Sequence, residues 1–234
     1  MLLAIIPARS GSTRIANKNI IDFNGKPLIS YALNAIKNSK IFDKIHVSTD
    51  SEAYADIIKE LGYEIDFLRC SKMSKDEVGI SEVLRWVVSE YEKRGEEITE
   101  VCMVMATAPL IEASDINKLR EIYLKHNGLH PVLAVTTFPA PIEQGLKITK
   151  DGTLGAVFPD KFHLQTQNLK KVYQDAGALF YIGRDQLMKN NVKAYSTCYP
   201  LILEREKVID IDDYEDLAFA EALYLGLQAK RRKK

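Results

Sequence analysis

The residues with the clearest capacity for chemistry lie close to the amino terminus. An apolar run, Leu2 to Ile6, stops at Pro7 and gives way to a loop of small and cationic side chains. A glycine in such a loop lets backbone N–H groups approach an anion, and lysine and arginine neutralise its charge. The sequence therefore predicts a buried strand that ends in a phosphate-binding loop, whose candidate residues are Arg9, Ser10, Gly11, Ser12, Arg14 and Lys18.

The spacing within this loop matches neither of the common nucleotide signatures. The chain has no G-x-x-x-x-G-K-[ST] pattern and no G-x-G-x-x-G pattern near it. We therefore interpret residues 9–18 as a phosphate loop of a third kind.

A second candidate group is the Asp210-Ile-Asp212 pattern towards the carboxyl terminus. On an extended segment, residues two apart point to the same side, so both carboxylates can converge while Ile209 and Ile211 are buried. Mg²⁺ commonly takes one or two carboxylates together with waters and substrate phosphates. Beside a phosphate loop, the pair predicts a magnesium site. Alternatively, Asp212 or Asp213 only caps the final helix and Asp210 is solvated.

The composition is that of a globular α/β protein. The chain has 234 residues, of which 46% are hydrophobic and 27% charged, and this is sufficient for one large domain. Lysine and arginine together number 32, as do aspartate and glutamate, so the charge balance gives no support for a nucleic-acid partner. The apolar stretch at the amino terminus is too short for a signal peptide or a membrane span. We expect a soluble, cytoplasmic protein with no membrane partner.

The cysteines and the basic carboxyl-terminal run have structural interpretations. Three widely spaced cysteines without a C-x-x-C pattern argue against a disulfide framework or a structural zinc site. Cys102 lies within an apolar run and is expected to be buried. The basic run at 230–234 is expected to be a frayed, solvated tail.

Short apolar runs alternate with amphipathic stretches through the first part of the chain. Strands are predicted at 2–6, 44–48, 64–68, 101–105 and 132–136. Helices are predicted to begin at Pro27 and after Asp50 or Ser51, to follow the apolar stripe from Ile80 to Tyr91, and to include 116–123. This βα alternation predicts a doubly wound, mostly parallel sheet with helices on both faces.

The alternation breaks at 138–176, a stretch rich in proline, glutamine and lysine with only a short strand-like piece at 154–158. An irregular stretch of this length usually binds something or joins a partner. Strands at 178–182, 193–198 and 208–211 and a final helix capped by Asp213 complete the prediction. We expect one domain, residues 1–228, with an inserted flap or dimerisation segment at 138–176 and a basic tail at 229–234.

The polar candidates are predicted to meet at one edge of the sheet, because ligands of open parallel sheets bind beyond the carboxyl ends of the strands. The features at such ends are the 9–18 loop, Asp50, Thr107, Asp210 and Asp212. Their convergence predicts one site with cations on one strand end and metal-binding carboxylates on another.

These residues also resemble the motifs of a known family. The segment Ile6-Pro-Ala-Arg-Ser-Gly-Ser12 with Lys18-Asn19 closely resembles the first motif of the CMP-sialic acid synthetases (acylneuraminate cytidylyltransferases). The segment Asp210-Ile-Asp-Asp-Tyr-Glu-Asp216 with Ala220-Glu221 resembles their metal-binding motif. Residues 69–76 and 106–110 lie where the family has matching segments, so the resemblance covers nearly the whole chain. It implies a Rossmann-like, GT-A-like nucleotidyltransferase fold.

The resemblance implies an activity and roles for the candidates. The family transfers CMP from CTP, with Mg²⁺, to the anomeric hydroxyl of a 2-keto sugar acid and releases pyrophosphate, mostly through positioning and electrostatic stabilisation. Arg9, Lys18 and Asp212 would be catalytic, and Asp210 and Asp212 would hold the metal. Nucleotide-binding residues are implied at Arg9, Ser10, Gly11, Ser12, Lys18, Asn19, Arg69 and Ser81. Arg14, where the family varies, is expected to be a solvated loop residue.

The segment after the fourth apolar strand favours one branch of the family. The better-known sialic acid synthetases carry Gln-Pro-Thr-Ser-Pro there, whereas Met105-Ala-Thr-Ala-Pro109 resembles the pseudaminic acid branch. Residues 166–177 resemble that branch as well. The sugar-acid site is then implied at Met105, Thr107, Gln165, Gln167, Tyr173 and Asp175.

One position departs from that branch, because Gln165 stands where an arginine would face the sugar carboxylate. Glutamine donates hydrogen bonds without charge assistance. Either Lys147, Lys170 or Lys171 substitutes for that cation, or the acceptor differs from pseudaminic acid. The alternatives are N-acetylneuraminic, legionaminic or Kdo acid as acceptor, and a non-catalytic CTP-binding regulator. The resemblance also implies a homodimer in which residues 138–176 reach the neighbour's site.

Overall fold

The helices and strands are those of an α/β protein, in a computed structural model that describes residues 1–189 and 197–232. In chain order, the strands are β1 (Leu2–Pro7), β2 (Asp22–Phe23), β3 (Lys26–Pro27), β4 (Lys44–Ser48), β5 (Glu100–Val104), β6 (Val132–Thr137), β7 (Leu146–Ile148), β8 (Leu154–Ala156), β9 (Tyr173–Gly183) and β10 (Tyr199–Ile202). The helices are α1 (Ile29–Ser39), α2 (Glu52–Glu60), α3 (Ile80–Glu92), α4 (Ala113–Lys125), α5 (Arg184–Leu187) and α6 (Tyr214–Arg232).

A central sheet of six strands organises the described chain, in the order β10-β6-β9-β5-β1-β4. β1 pairs in parallel with β4 and β5, and β10 pairs in parallel with β6. The long strand β9 runs antiparallel between β5 and β6, with an irregularity opposite 133–135. The prediction of a mostly parallel sheet is confirmed, with β9 as an antiparallel exception.

Helices cover both faces of this sheet, as predicted. In β1, Ala4 and Ile6 belong to a hydrophobic cluster with side chains of α1, α2 and α4, whereas Leu3 and Ile5 belong to a second cluster with α3 and α5. Successive side chains of a strand point to opposite faces, so the two clusters are two separate layers. This packing aligns the parallel strands β1, β4 and β5 so that their carboxyl ends lie side by side.

Several predicted elements and caps are confirmed. The strand predicted at 44–48 coincides with β4, and the apolar stripe of the third predicted helix coincides with α3. The Ser51 hydroxyl accepts the N–H of Tyr54 and so caps α2. The Asp213 carboxylate accepts the N–H groups of Glu215 and Asp216 and so caps α6.

The predicted helix start at Pro27 is wrong because a β-hairpin precedes the helix. Asn24 and Gly25 have φ of 50° and 79°, the positive values that a tight two-residue hairpin turn needs. The turn joins β2 to β3 and pairs Pro27 with Asp22. Pro27 therefore belongs to a strand, and α1 begins at Ile29.

The strand predicted at 64–68 is also wrong, because these described residues join no ladder and β4 is the edge of the sheet. Side chains anchor the segment instead. Asp66 pairs with Lys44 at 2.8 Å and accepts a hydrogen bond from the Tyr91 hydroxyl at 2.6 Å. Phe67 stacks on His46, with ring centroids 4.5 Å apart.

The last two predicted strands have different outcomes. Residues 208–211 are described and form no strand, and Ile211 is fully buried in a small cluster with Ile15 and Phe23. Their apolar pattern therefore reflects packing rather than strand pairing. Of the strand predicted at 193–198, residues 193–196 lie outside the described residues, and β10 begins only at Tyr199.

The segment 138–176 holds more regular structure than its composition indicates. β7 and β8 form a separate antiparallel hairpin, in which β8 spans 154–156 rather than 154–158. β9 begins at Tyr173, inside the segment, rather than at 178.

The carboxyl-terminal residues 230–232 are helical rather than frayed. α6 continues to Arg232, and Lys230 and Arg231 form ion pairs with Glu206 and Glu112. Elsewhere Cys102 is fully buried, as predicted. None of the described helices combines the length and the apolar character that crossing a membrane requires.

Candidate active site

The loop after β1 is held from two sides. The Ser10 N–H donates to Asp50 Oδ1 at 2.8 Å, which ties the loop to the end of β4. Asn19 Nδ2 donates to the Arg9 carbonyl at 2.9 Å, which ties it to the short 3-10 turn Lys18–Ile20. Gly11 lacks a positive φ, and a Cβ there would meet no atom within 4 Å. The fold thus imposes the shape of the loop through Asp50 and Asn19 and makes no steric demand for glycine at position 11.

Cations of this loop converge on Asp212. Lys18 Nζ donates to Asp212 Oδ1 at 3.2 Å and to the Ile211 carbonyl at 2.6 Å. Arg14 lies 2.8 Å from the same carboxylate oxygen. It is an exposed loop residue, as expected, and it also pairs with Asp212. The contact needs two segments about 200 residues apart in sequence, which no local pattern reveals.

The start of α6 fixes the backbone that carries this carboxylate. The Asp216 side chain accepts the N–H groups of Asp212 and Asp213 at 2.9 and 3.1 Å. With Asp213 capping the helix in turn, the segment enters α6 in one defined conformation. Asp213 is therefore the cap that the alternative interpretation required, while Asp212 is left to face the loop.

The two candidate metal ligands have opposite pKa shifts. Loss of solvation raises the pKa of Asp210, and the negative charge of Asp212 adds to the effect. Loss of solvation also opposes ionisation of Asp212, but the hydrogen bond and charge of Lys18 and the charge of Arg14 outweigh it and lower the pKa. Asp212 is thus a paired anion, whereas no described residue donates a hydrogen bond to the Asp210 carboxylate.

This donor set suits a hard divalent cation such as Mg²⁺. The Asp210 oxygens are available. Loss of solvation and, after it, repulsion by Asp212 raise the pKa of Asp210, and a bound cation would relieve that repulsion. Among the described residues, no group of three or more His, Cys, Asp or Glu side chains is placed to hold a metal. Two carboxylates completed by phosphates and waters match the preference of Mg²⁺ rather than that of zinc.

Arg69 supplies a buried cation at the end of β4. Its side chain donates to the Ser48 hydroxyl at 3.0 Å and to the Ser48 carbonyl at 2.6 Å, and the residue is only 6% exposed. Burial lowers its pKa to about 10, opposed by the charge of Asp50 and assisted by that of Arg9. Arg69 is therefore still protonated at neutral pH and adds positive charge beside the loop.

Two adjoining cavities open at this edge of the sheet. The smaller, about 330 Å³, is lined by the loop after β1, Arg69 and both aspartates. The larger, about 650 Å³, lies between the start of α3 and the strands β5, β6 and β9. Ile80, Met105 and Asp210 line both cavities, so the two spaces meet beside a candidate metal ligand.

Most of the candidate residues lie on the walls of these cavities. The smaller cavity is lined by Arg9, Ser12, Lys18, Asn19, Arg69, Met105, Thr107, Asp210 and Asp212. The larger is lined by Ser81, Met105, Asp175 and Asp210. Among the described residues that the resemblance assigns to the nucleotide or the sugar acid, those that line neither cavity are Ser10, Gly11, Gln165, Gln167 and Tyr173. Gln165 and Gln167 are exposed and bond to each other at 3.0 Å.

The larger cavity also contains residues that the sequence did not single out. Glu82 and Arg85 follow Ser81 on α3, and the spacing of four residues from Ser81 to Arg85 was a usable signal for a shared helix face. Gly177 has φ of 59°, a value that favours glycine. Its N–H donates to Asp175 Oδ1 at 2.9 Å, which orients that carboxylate.

The sequence is similar to those of known proteins. Residues 3–208 match a family model described as Cytidylyltransferase. The chain is 33% identical over 225 residues to a pseudaminic acid cytidylyltransferase of Campylobacter jejuni subsp. jejuni, over 95% of each chain. It is 28% identical to an N-acylneuraminate cytidylyltransferase of Escherichia coli O18:K1:H7, over 100% of this chain and 54% of that longer one.

A solved structure supports the fold. CMP:2-keto-3-deoxy-manno-octonic acid synthetase, complexed with CTP, superposes with a TM-score of 0.71 at 14% identity, over 96% of this chain and 98% of the other. At that identity the likeness concerns the fold alone. The sequence matches extend over nearly the whole chain, and on them we conclude that this protein belongs to the cytidylyltransferase family of nucleotidyltransferase enzymes.

Proposed function

We propose that this enzyme transfers CMP from CTP to the anomeric hydroxyl of a nonulosonic acid and releases pyrophosphate, with pseudaminic acid as the first candidate acceptor. The observation that carries the proposal is the junction of the two cavities at Asp210 and Met105. A triphosphate suits the cationic cavity, and a sugar acid suits the larger one, so their reacting atoms would meet at the shared wall. The names of the relatives support the choice of substrates.

In this proposal, the nucleotide lies against the loop after β1. The nucleotide-binding residues are Arg9, Ser10, Gly11, Ser12, Lys18, Asn19, Arg69 and Ser81. Ser81 lines the larger cavity, so its contact with cytidine requires the base to reach the start of α3. Arg9, whose partner in the structure is Asp76, exchanges that exposed ion pair for a phosphate.

The chemical step is a substitution at the α-phosphorus. The anomeric hydroxyl of the acceptor loses its proton to the solvent as its oxygen forms a bond to that phosphorus. The bond to the bridging oxygen breaks, and pyrophosphate carries away the electron pair. Lys18, Arg9 and Asp212 are the catalytic residues that we assign. Lys18, once turned towards the phosphates, stabilises the charge that develops around the α-phosphorus, since a cation is most effective where negative charge appears.

We assign Mg²⁺ to Asp210 and Asp212. Such an ion, when bound, neutralises phosphate oxygens and stabilises the departing pyrophosphate. Asp212 stays ionised because of Lys18 and Arg14, and so is available as a ligand at neutral pH. As a nucleotide enters, we expect the two cations to turn from this carboxylate towards the phosphates.

The acceptor site and the assembly are linked proposals. Met105, Thr107 and Asp175 line the cavities, whereas Gln165, Gln167 and Tyr173 do not. We therefore propose a homodimer in which residues 138–176 of one subunit bring these three side chains to the acceptor site of the other. The catalytic domain, residues 1–228 with that inserted segment, would act in the cytoplasm.

Release of pyrophosphate from CTP and Mg²⁺ tests the proposal. The acceptors are pseudaminic, legionaminic, N-acetylneuraminic and Kdo acids, and we expect the highest kcat/KM for pseudaminic acid. A preference for another acid would overturn the choice of acceptor and retain the chemistry. No release with any acid, together with a thermal shift on addition of CTP and Mg²⁺, would indicate a non-catalytic regulator instead.

A further inference from the structure

Acidic side chains outnumber basic ones on the wall of the larger cavity. Its charged residues are Glu82, Asp175, Asp210 and Arg85, and the remaining side chains are neutral and mostly apolar. Arg85 is thus the cation of this cavity within the described chain. In the proposed acceptor, the anomeric carbon bears both the reacting hydroxyl and a carboxylate. This carboxylate needs a positively charged partner in the larger cavity.

The guanidinium of Arg85 has no partner in the part of the chain that the structure describes. Within the described residues it forms no ion pair and donates no hydrogen bond, although Glu82 stands one helical turn before it on α3. The arginines Arg9, Arg14 and Arg184, by contrast, each pair with a carboxylate. A partly buried arginine without a partner, facing a cavity, is available to an anionic ligand.

Within one chain, the other candidates for this role do not reach the cavity, so only a neighbouring subunit could bring them there. Gln165 and the nearby cations Lys147, Lys170 and Lys171 are absent from its described wall. Ser81 and Arg85 are four residues apart on α3 and face the cavity together. The planar guanidinium can donate to both oxygens of a carboxylate by itself, while Ser81 contacts the nucleotide.

We infer that Arg85 binds the carboxylate of the acceptor sugar acid, in place of the cation that position 165 lacks. The inference rests on the proposed function, since it identifies a residue of the same acceptor site. Glu82 and Asp175 are then left to accept hydrogen bonds from the hydroxyl or amide groups of the sugar. Arg85 of α3 therefore determines the preference for an acid. Glu82 of α3 and Asp175 of β9 make the polar contacts to the rest of the sugar.

The test compares a sugar acid with its C1 carboxamide, which keeps the reacting hydroxyl and loses the charge. In Arg85→Met, we expect kcat/KM for the acid to fall roughly 10- to 100-fold, mainly through KM, with little change for the carboxamide and for the KM of CTP. Arg85→Lys should recover most of the preference for the acid. Lys93→Met, which removes one exposed positive charge at the end of the same helix, is the matched control and should behave like the parent.

Each outcome has one meaning. An equal loss on the acid and the carboxamide, or an unchanged KM for the acid, would overturn the role of Arg85 while the parent enzyme stays active. If Arg85→Met does not fold, as judged by circular dichroism, the ratio of the two acceptors in Arg85→Gln decides in the same way. A parent enzyme inactive with all sugar acids would overturn the proposed function and this inference with it.

Discussion

At the scale of single residues, several charged side chains of the smaller cavity pair with one another before substrate arrives. Lys18 and Arg14 share one oxygen of Asp212, and Arg9 pairs with Asp76. Such pairs hold long side chains near their working positions and keep Asp212 ionised. The phosphates of a nucleotide would compete for the same cations, so removing one charge should affect turnover more than folding.

Replacement of the paired carboxylate gives the first prediction. Asp212→Ala should keep the fold and lower turnover by about 100-fold or more, because the variant loses a metal ligand and the anchor of Lys18. The measurements are pyrophosphate release and circular dichroism. Glu215→Gln, which removes an exposed charge at the start of α6, should retain activity. Activity of Asp212→Ala within a few-fold of the parent would rule out the metal assignment.

Replacement of Lys18, the cation that pairs with Asp212, gives the second prediction. Lys18→Ala should lower kcat by roughly 100-fold and leave the KM of the sugar acid unchanged, because the ammonium acts on charge that develops at the α-phosphorus. Steady-state kinetics with both substrates varied separate the two parameters. Lys59→Ala, an exposed lysine in α2, is the control. If only the KM of the sugar acid rose, the placement of Lys18 at the triphosphate would be wrong.

At the scale of elements, the edge of the sheet is closed by side chains instead of a further strand. His46 of β4 is fully buried, stacks on Phe67 and lies 3.1 Å from the Tyr91 hydroxyl through Nδ1. The Tyr91 hydroxyl donates its proton to Asp66, so in its hydrogen bond with His46 it is the acceptor. The Nδ1 atom of His46 therefore carries a proton. The segment 64–68 is thus joined to β4 and α3 by a neutral histidine.

This histidine gives a prediction on acid stability. Burial lowers the pKa of His46 to about 3, the charges of Arg69, Lys44 and Arg94 add to the effect, and Asp66 opposes it. The imidazole of the unfolded chain takes up a proton below about pH 6.5, whereas that of the folded chain does not. The free energy of unfolding should therefore fall by about 1.4 kcal/mol per pH unit below that point, or about 2 kcal/mol by pH 5.

Urea unfolding at pH 7 and pH 5 measures this loss. His46→Gln should be less stable than the parent at pH 7 but should lose about 2 kcal/mol less between the two pH values. His163→Gln, at an exposed histidine, should show the full loss of the parent. An equal loss in the parent and in His46→Gln would mean that His46 is not the acid-sensitive group.

At the scale of the whole molecule, the β7–β8 hairpin exposes apolar side chains that a single chain does not cover. Ile148 and Leu154 are 77% and 68% exposed, and Leu146, Val157 and Phe158 are exposed nearby. Exposed apolar patches of this kind are typical of protein interfaces. The same segment contains Gln165 and Gln167, which do not reach the cavities of their own chain. A second copy of the chain would cover the exposed apolar side chains and would also place these glutamines beside a cavity.

The assembly prediction follows from this surface. We expect the parent to be dimeric and the double variant Ile148→Lys with Leu154→Lys to be monomeric, because two charges in an apolar interface lose their hydration. Light scattering at several concentrations gives the mass, and pyrophosphate release gives the activity. Leu129→Lys, at a leucine 64% exposed outside the hairpin, should stay dimeric. A dilute, fully active parent monomer would contradict the shared site.

Local features of this protein could be predicted from the sequence because they depend on near neighbours. The Ser51 and Asp213 caps, the strand at 44–48 and the apolar stripe of α3 follow from residues a few positions apart. The hairpin turn at Asn24 and Gly25 was equally local, and its asparagine-glycine signal was overlooked. Local chemistry also marked the phosphate loop and the acidic pair as candidates.

The sequence by itself thus determined the family, the α/β fold class and most residues of the cationic cavity, since family motifs and strand ends lie in short segments. Tertiary structure decided the rest, because it depends on contacts between distant segments. Arg14 meets Asp212 only when β1 and α6 are assembled. Residues 64–68 are held by His46 and Tyr91 rather than by a ladder. Arg85 becomes a candidate only when α3 is placed over β5, β6 and β9. Its cation, which has no partner among the described residues, then faces a cavity that Gln165 of the same chain does not reach.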